Sequence, residues 1–507
     1  MIIGKIINLA ILCIALMFGF GALARAEEQA AQTATGFPSV LMDGDADRWI
    51  NLQRPLAAGE LNDRLVLLDF WTFCCINCIQ ALPTLNEIHK NYGDKASIIG
   101  VHSGKFGNEK TAEPILRAIG RYQINHAVYN DDDFSVWKNY DVKGWPTQIL
   151  LDTQGQEIWR YFGEAPYEDI SAALDRALAK VNPEYNTAAL PIKKTQKIAD
   201  NSAFYYPSKI IALKGIGYAL ADSGHNQISI LNAQGQVLHN YTGFNAPQGM
   251  AYDDKTNLIY VADTGNHQLK SIDLKRKKVN VLSGTQRRGA IINAQRRKAN
   301  KTALASPWDL ALFDGDLIIA NAGSHQLLRY EIKDKKISAF AGNGTESIDD
   351  GRYPDNSLSQ PSALAVMGAY LYFLDSETSS LRRMDKNGVV ETLLGHGLFD
   401  FGYRDGTKAN ALLQHPLGLE ADSDNNRLFI ADSYNHVIRI YDVQSGYLQT
   451  ISGTPERFGT GALTTDKIQY HEPNDVLLKP DGGLIIVDTN NHRVMELNPY
   501  NGALRQF

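Results

Sequence analysis

Cysteine is scarce in this chain of 507 residues, which has four. Cys13 lies inside an apolar N-terminal segment, whereas Cys74, Cys75 and Cys78 stand within five residues of one another. No cysteine elsewhere is available to pair with these three, which excludes a disulfide-stapled scaffold. A zinc site is also disfavoured, because no second Cys or His pair lies at ligand spacing from the cluster. The sequence therefore predicts no metal and no other cofactor.

Long apolar runs are nearly absent as well. One such run, from Ile6 to Leu23, follows Lys5, and Ala24-Arg25-Ala26 after it has the small-x-small form of a signal-peptidase site. This pattern predicts a secretory signal peptide over residues 1–26, cleaved before Glu27, rather than an uncleaved membrane anchor. We therefore expect an exported protein, periplasmic or secreted, that loses Cys13.

The chain has no excess of basic residues that would suggest nucleic acid as a partner. Without the signal peptide it keeps 48 basic and 56 acidic residues, a net charge near −8. One stretch differs: Lys275 to Lys301 contains ten basic residues and no acidic one. Either this stretch is a solvated loop, or it docks an anionic partner through Arg296, Arg297 and Lys298.

Two of the clustered cysteines form the motif Cys75-Ile76-Asn77-Cys78, directly after the strand-like run Leu65–Phe70. A helix that begins here would favour the thiolate, which is the reactive form of cysteine. One helical turn also brings the two sulfurs within bridging distance. The motif thus favours reversible thiol–disulfide chemistry, while a fixed disulfide or a vestigial pair remains the alternative.

Strand-like and helix-like segments alternate up to about residue 185, which predicts an α/β domain over residues 27–185. Asn182–Thr187 is predicted to be a linker. The predicted strands are 65–70, 97–101, 147–151 and 157–161, and the predicted helices are 79–92, 111–122 and 167–181.

An internal repeat begins near residue 190. Six related motifs, each preceded by a proline fourteen to sixteen residues earlier, recur at intervals of 41 to 58 residues. The motifs begin at Asp222, Asp263, Asn321, Asp375, Asp432 and Asp488, and the prolines are Pro207, Pro247, Pro307, Pro361, Pro416 and Pro473. Short strands and polar turns at this period predict the blades of an all-β propeller over residues 190–507, with six blades of four strands. We expect a strand at 192–199 to complete the C-terminal blade.

These residues resemble known families. Asn266-His267, Asn435-His436 and Asn491-His492 are similar to the Asn-His-Leu triplet that gives NHL repeats their name. Asp69-Phe-Trp71 ahead of the CxxC pair, Pro83 after it, and Gly144-Trp-Pro-Thr147 resemble thioredoxin. After residue 37 nearly the whole chain resembles the NHL-repeat-containing proteins with an N-terminal thioredoxin-like domain, a six-bladed NHL-type propeller following the α/β domain.

The thioredoxin resemblance implies a role for each site residue. Cys75 would be the exposed attacking thiol, with a lowered pKa, and Cys78 the buried resolving thiol. Asp69 would be a buried carboxylate that relays the proton of Cys78, and Pro146, if cis, would face the disulfide. Cys74 departs from the family by replacing its usual tryptophan, so this accessory thiol is expected to turn inward, with Cys75–Cys78 as the stable disulfide.

Histidines carry no strong functional signal. His102 and His126 are interpreted as structural, and the histidines of the repeats are expected to hydrogen-bond in turns rather than bind metal. For Asp69, the alternative to proton relay is that it is a satisfied core acid.

Two functions remain open. One is an exported thiol–disulfide oxidoreductase whose propeller binds client proteins with thiols or disulfides. An unidentified donor would supply electrons to its thiol pair. The other is a binding scaffold with a structural or redox-sensing thioredoxin-like domain, and a peroxidase is a weaker third.

Overall fold

The computed structural model describes residues 41, 46–57, 59–193, 202–455, 457–459, 468–500 and 502–507. The predicted signal peptide, residues 1–26, lies outside the described residues. No helix in the described part is long and apolar enough to cross a membrane. The chain divides into two compact units. The first contains the described residues up to Phe73 and those from Ala81 to Lys193, and the second contains Cys74–Gln80 and the described residues from 202 onward.

The first unit is built on a five-stranded mixed sheet with the order β3-β2-β1-β4-β5. β1 runs parallel to β2 and antiparallel to β4. The strands are β1 (Val66–Trp71), β2 (Ser97–His102), β3 (Ala127–Asn130), β4 (Thr147–Leu151) and β5 (Glu157–Phe162). The helices, the first of which begins in the Cys74–Gln80 segment, are α1 (Ile76–Tyr92), α2 (Ala112–Arg121), α3 (Ser135–Asn139) and α4 (Tyr167–Leu178). The predicted α/β thioredoxin-like fold is confirmed.

Two elements of this unit, β3 and α3, were not predicted because four or five residues are too short to show a period. Helix α1 begins three residues earlier than predicted and continues through Pro83. One face of the sheet forms an apolar core in which Val66, Leu68 and Phe70 alternate with residues of the other face. Asp69 consequently lies on the face opposite to this core.

The segment predicted as a linker packs onto the first unit. The Asn186 amide donates to the Asp63 carbonyl at 2.7 Å, and Arg64 hydrogen-bonds to the Ala188 carbonyl. Ile192 forms an isolated bridge with Leu52. Residues 186–193 therefore extend the first unit beyond the predicted boundary near residue 185.

In its described part the second unit contains six antiparallel sheets, which confirms the predicted six blades; three sheets have four strands as predicted, and three carry a short fifth strand. The innermost strands contact one another in a closed ring. Blade 1 has β6 (Pro207–Leu213), β7 (Gly217–Asp222), β8 (Gln227–Asn232) and β9 (Val237–Tyr241), and blade 2 has β10 (Met250–Asp253), β11 (Leu258–Asp263), β12 (Gln268–Asp273) and β13 (Lys278–Ser283). Blade 3 has β15 (Pro307–Phe313), β16 (Asp316–Asn321), β17 (Gln326–Glu331) and β18 (Lys336–Ala341), with β14 (Arg297–Lys298) as a fifth strand.

The remaining blades follow the same order. Blade 4 has β20 (Pro361–Met367), β21 (Tyr370–Asp375), β22 (Ser380–Asp385) and β23 (Val389–Leu394), with β19 (Gly351–Arg352) at its edge. Blade 5 has β25 (Gly418–Asp422), β26 (Arg427–Asp432), β27 (Val437–Asp442) and β28 (Tyr447–Gly453), with β24 (Gly406–Thr407) at its edge. Blade 6 has β29 (Pro473–Leu478), β30 (Leu484–Asp488), β31 (Arg493–Leu497) and β32 (Leu504–Gln506).

The expectation that residues 192–199 complete the last blade is wrong for its described part. The fourth strand of blade 6 is β32, so the C-terminal segment supplies all four strands of that blade. Ile192 instead pairs with Leu52 in the first unit, and residues 194–199 lie outside the described residues. The ring therefore closes through contacts between neighbouring blades.

The first residue of each repeat motif binds the backbone of the segment that leads into its blade. Its buried side-chain oxygen accepts a backbone N–H from the residue sixteen to eighteen positions earlier, for example from Tyr205 to Asp222 and from His471 to Asp488, both at 2.7 Å. In three blades an arginine pairs with the second oxygen of the same carboxylate, as Arg439 does with Asp432 at 2.6 Å. The first motif position thus fixes the path of the chain into each blade.

The fifth motif position joins neighbouring blades. It adopts the left-handed conformation in all six blades. It is histidine in blades 2, 3, 5 and 6. In blades 2, 5 and 6 its Nδ1 accepts a backbone N–H of the following blade: Ser306 to His267, Glu472 to His436, and Tyr206 to His492. His225 stands one position earlier and contacts Asp222, whereas His325 Nδ1 has no hydrogen-bond partner among the described residues. The predicted hydrogen-bonding role of the histidines is therefore confirmed in most blades, and in three of them the bond joins two blades.

A buried charge cluster lies among the innermost strands. Lys209 of β6 is 3.0 Å from Asp309 of β15 and 3.5 Å from Asp475 of β29. The two carboxylates also accept backbone N–H groups of the following blades, from Leu364 and Ile210. Burial raises the pKa of Asp475 to about 7 despite the nearby ammonium group. The cluster therefore connects four blades through ionic and hydrogen bonds.

Replacing Lys209 with Met should destabilise the propeller in a pH-dependent way. Near pH 8.5 the change leaves buried carboxylates without their cation and should lower the free energy of unfolding by about 3 kcal/mol. Since the folded pKa of Asp475 is raised, its contribution to stability is full at low pH and is lost as pH rises through about 7. The variant should accordingly lose less near pH 5.5, measured by denaturant unfolding at both pH values. Lys214→Met, at an exposed ion pair, is the control; an equal loss at both pH values would contradict the prediction.

Candidate functional site

The CxxC pair occupies the N-terminus of helix α1, as the sequence predicts. The carbonyl of Cys75 accepts the first helical hydrogen bond, from Ile79 at 3.1 Å, which makes Cys75 the N-cap residue. The Cys78 amide donates to the Cys75 sulfur at 3.2 Å. The side chain of Cys75 thus takes the place that a Ser or Asp oxygen has in other N-caps.

The three described cysteines form no disulfide, and all are buried, with 3%, 4% and 1% of Cys74, Cys75 and Cys78 exposed. The inward position expected for Cys74 agrees with this burial. The expectation that Cys75 is exposed and has a lowered pKa is wrong for this structure. Burial raises the pKa of Cys75, and the hydrogen bonds from the thiol and amide of Cys78 do not offset it.

Asp69 lies in the middle of β1 and is 1% exposed. Its cross-strand neighbour on β4 is Gln148, whose Nε2 donates to Asp69 Oδ1 at 2.8 Å. Burial raises the pKa of Asp69 to about 7, while the Gln148 hydrogen bond acts in the opposite direction. A carboxyl group with this pKa can accept and release a proton at neutral pH. Gln148 was missed because nothing in the sequence marks a strand glutamine as a partner of Asp69.

The Trp145–Pro146 peptide bond is cis, as the thioredoxin resemblance implied. Pro146 directly precedes β4, whose first residue, Thr147, pairs with Phe70 near the end of β1. The Pro146 carbonyl accepts a hydrogen bond from the Gly163 amide at 2.8 Å. Pro146 is therefore fixed at the same end of the sheet at which β1 leads into the cysteine segment.

A second buried carboxylate was also missed. Glu109 is fully buried, and it accepts hydrogen bonds from Thr72 Oγ1 at 2.8 Å and from the Phe106 amide at 3.0 Å. Gly104 permits this placement, because a Cβ atom there would lie 2.8 Å from the Glu109 Cβ. Glu109 thereby holds the residue two positions before Cys74.

His102 and His126 are fully buried, and burial lowers the pKa of each to about 3. Their ring nitrogens have no hydrogen-bond partner among the described residues. His102 packs edge-on against Trp71, with ring centroids 4.8 Å apart, and stacks on Phe73. Both rings are neutral at physiological pH, which agrees with the structural interpretation.

The positive charge of the basic stretch of the propeller is partly balanced by acidic side chains. Arg296 forms ion pairs with Glu331 and Asp334. Arg297 and Lys298 form β14, the exposed fifth strand of blade 3. Docking of an anionic partner through these three residues stays a prediction. Arg296 is the least available for such docking, because its charge is already paired.

Among the described residues, no group of three or more His, Cys, Asp or Glu side chains is placed to hold a metal ion.

Comparisons with known proteins agree with this architecture. Family models match residues 62–157, described as thioredoxin-like, and residues 244–270, described as an NHL repeat. NHL repeat-containing protein 2 from Homo sapiens is 33% identical over 88% of this chain and 68% of its own length, and the protein of the same name from Gallus gallus is 33% identical over 89% and 69%.

Other relatives cover different shares of the chain. The protein SUPPRESSOR OF QUENCHING 1, chloroplastic, from Arabidopsis thaliana is 34% identical over 93% of this chain and 47% of its own length. Thiol-disulfide oxidoreductase ResA from Bacillus cereus is 24% identical over 34% of this chain and 94% of its own length. The matches to NHL repeat-containing protein 2, at 33% identity, cover almost nine tenths of this chain and more than two thirds of the relatives, and by them this chain belongs to the family of NHL repeat-containing protein 2.

Proposed function

We propose that this protein is an exported thiol–disulfide oxidoreductase in which Cys75 attacks, Cys78 resolves and Asp69 transfers the proton. The observation that carries the proposal is the buried Asp69 carboxyl group, whose pKa of about 7 suits proton transfer at neutral pH. It lies in the strand that leads directly to the CxxC helix. The named activity of ResA, which matches about a third of the chain, gives further support.

The chemistry is a pair of balanced exchanges. The Cys75 thiolate attacks a client disulfide, one client sulfur leaves as a thiolate, and a mixed disulfide forms. Cys78 then loses its proton to Asp69 and attacks the Cys75 sulfur, which releases the second client thiolate and leaves a Cys75–Cys78 disulfide. Each turnover oxidises the thiol pair by two electrons, so an external thiol donor must reduce it again.

The raised pKa of Cys75 favours the reductase direction. A low-pKa thiolate stabilises the reduced form and makes the disulfide of strongly oxidising members of the thioredoxin fold easy to reduce. Burial removes that stabilisation here, since it disfavours the charged form of Cys75. We therefore infer that the pair has a reducing potential, and that the propeller binds the client proteins.

Replacing Cys78 with Ser should trap clients as mixed disulfides on Cys75, because the resolving thiol is lost. The trapped species would be measured on non-reducing gels and assigned by peptide mapping, with Cys75→Ser and Cys74→Ser each combined with Cys78→Ser as matched controls. Trapping should disappear with Cys75→Ser and persist with Cys74→Ser. Adducts on Cys74, or none on any thiol, would contradict the assignment and favour the scaffold alternative.

Peptide mapping of the oxidised wild-type protein should give Cys75–Cys78 as the main disulfide.

Alkylation of Cys75 should be slow at neutral pH and should accelerate at unusually high pH. Burial raises its pKa above that of an ordinary cysteine, so the thiolate fraction near pH 7 is small. The measurement is the rate of iodoacetamide labelling of Cys75 from pH 6 to 11 in the Cys74→Ser variant. A labelling midpoint below about 8.5, the value for free cysteine, would show that the thiol is activated instead.

A further inference from the structure

The hydrogen bond between Gln148 and Asp69 joins two side chains that are each 1% exposed. The two residues face each other in the antiparallel register of β1 and β4. Alternate residues of these strands belong to the apolar core, so this polar pair occupies the other face of the sheet. Such a contact lets one side chain control the electrostatics of the other.

Few other ionisable groups face Asp69. On β2 its direct neighbour is Gly100, which has no side chain. The His126 ring lies beside Gly100, where a Cβ atom would be 3.2 Å from Nε2, and its low pKa keeps it neutral. His102, on β2 two positions further along, is neutral for the same reason. The buried ionisable side chain of α1 is Cys78. Gln148 is therefore the polar side chain that acts most directly on Asp69.

The amide of Gln148 suits both protonation states of Asp69. Its N–H group donates to the ionised carboxylate, which stabilises the charge. Its Oε1 atom is buried and has no hydrogen-bond partner among the described residues. A half-turn of the amide would bring this oxygen to the hydroxyl of a protonated Asp69, which needs an acceptor. One amide can thus hydrogen-bond to the Asp69 carboxyl group both before and after it gains a proton.

We propose that Gln148 is a positioning residue that controls the protonation of Asp69 and thereby the pH range of thiol exchange. This inference rests on the proposed oxidoreductase function. In the proposed reaction Gln148 acts through Asp69. The proton that leaves Cys78 goes to Asp69, and the amide changes only how readily Asp69 accepts it.

Gln148→Met tests the proposal, since it keeps the length of the side chain and removes both polar atoms. The pKa of Asp69 should rise by about one to two units, because a hydrogen bond to a charged group is lost. The titration would be followed by NMR of carboxyl-labelled aspartate, assigned with Asp69→Asn, and the pH profile of insulin disulfide reduction would be measured in parallel. Both midpoints should move upward together.

Gln148→Leu is the second variant in case Met does not fold, and Gln154→Leu, in the exposed turn after β4, is the matched control. An unshifted Asp69 titration in a folded Gln148 variant would overturn the proposal. A shifted titration with an unmoved exchange profile would overturn it too, because the amide would then be irrelevant to catalysis. Absence of exchange in the wild-type protein would instead contradict the oxidoreductase function, while the titration would still report on the Gln148–Asp69 contact.

Discussion

The propeller depends on buried backbone N–H groups that are satisfied by side chains of the repeat motif. The segments that enter each blade are not part of its ladder, so their amides need acceptors once they are buried. The first motif residue supplies one, and the left-handed residue of the preceding blade supplies another. Leaving such a donor unpaired reduces the free energy of unfolding by about 1–3 kcal/mol, so the propeller fold requires the motif residues as hydrogen-bond acceptors.

The same bonds explain how the ring closes. Tyr206 of blade 1 donates to His492 of blade 6, as the residues before Pro307 and Pro473 do to the preceding blades. Ile210 donates to Asp475 across the same junction. Since the closing contact repeats the contacts between other blades, no strand exchanged between the two ends of the domain is needed. This accounts for a last blade built from the C-terminal segment alone.

Periodic features were predictable from the sequence, whereas features set by tertiary contact were not. Six repeats at a regular spacing specify six blades, because each repeat is a complete supersecondary unit. The helix start at the CxxC pair and the cis bond before Pro146 follow from local motifs. The burial of Cys75 does not, because nothing in Cys75-Ile-Asn-Cys78 indicates what covers it. The contact of Gln148 with Asp69 could not be predicted either, since it depends on the register of β4 on β1.

Burial keeps the Cys75 thiol of the thioredoxin-like site uncharged and Asp69 only partly ionised. At neutral pH the Cys75 thiol is protonated, and Asp69 is close to half protonated. In the proposed exchange a proton must leave the thiol pair, and Asp69 is the group proposed to accept it. The proposed reaction therefore depends on proton transfer more than on a preformed thiolate.

Burying the Asp69 carboxyl group has a cost in stability. A carboxyl group whose pKa rises from 3.8 to about 7 destabilises the folded state by roughly 4 kcal/mol once the pH exceeds both values. In the propeller, Asp475 has a pKa that is also about 7 although the Lys209 ammonium group lies 3.5 Å away. Asp69 has a neutral amide as its hydrogen-bond partner instead, and an amide relieves only part of the burial. The Asp69 carboxyl group therefore titrates near neutral pH beside a neutral hydrogen-bond partner, which is the property that the proposed proton transfer requires.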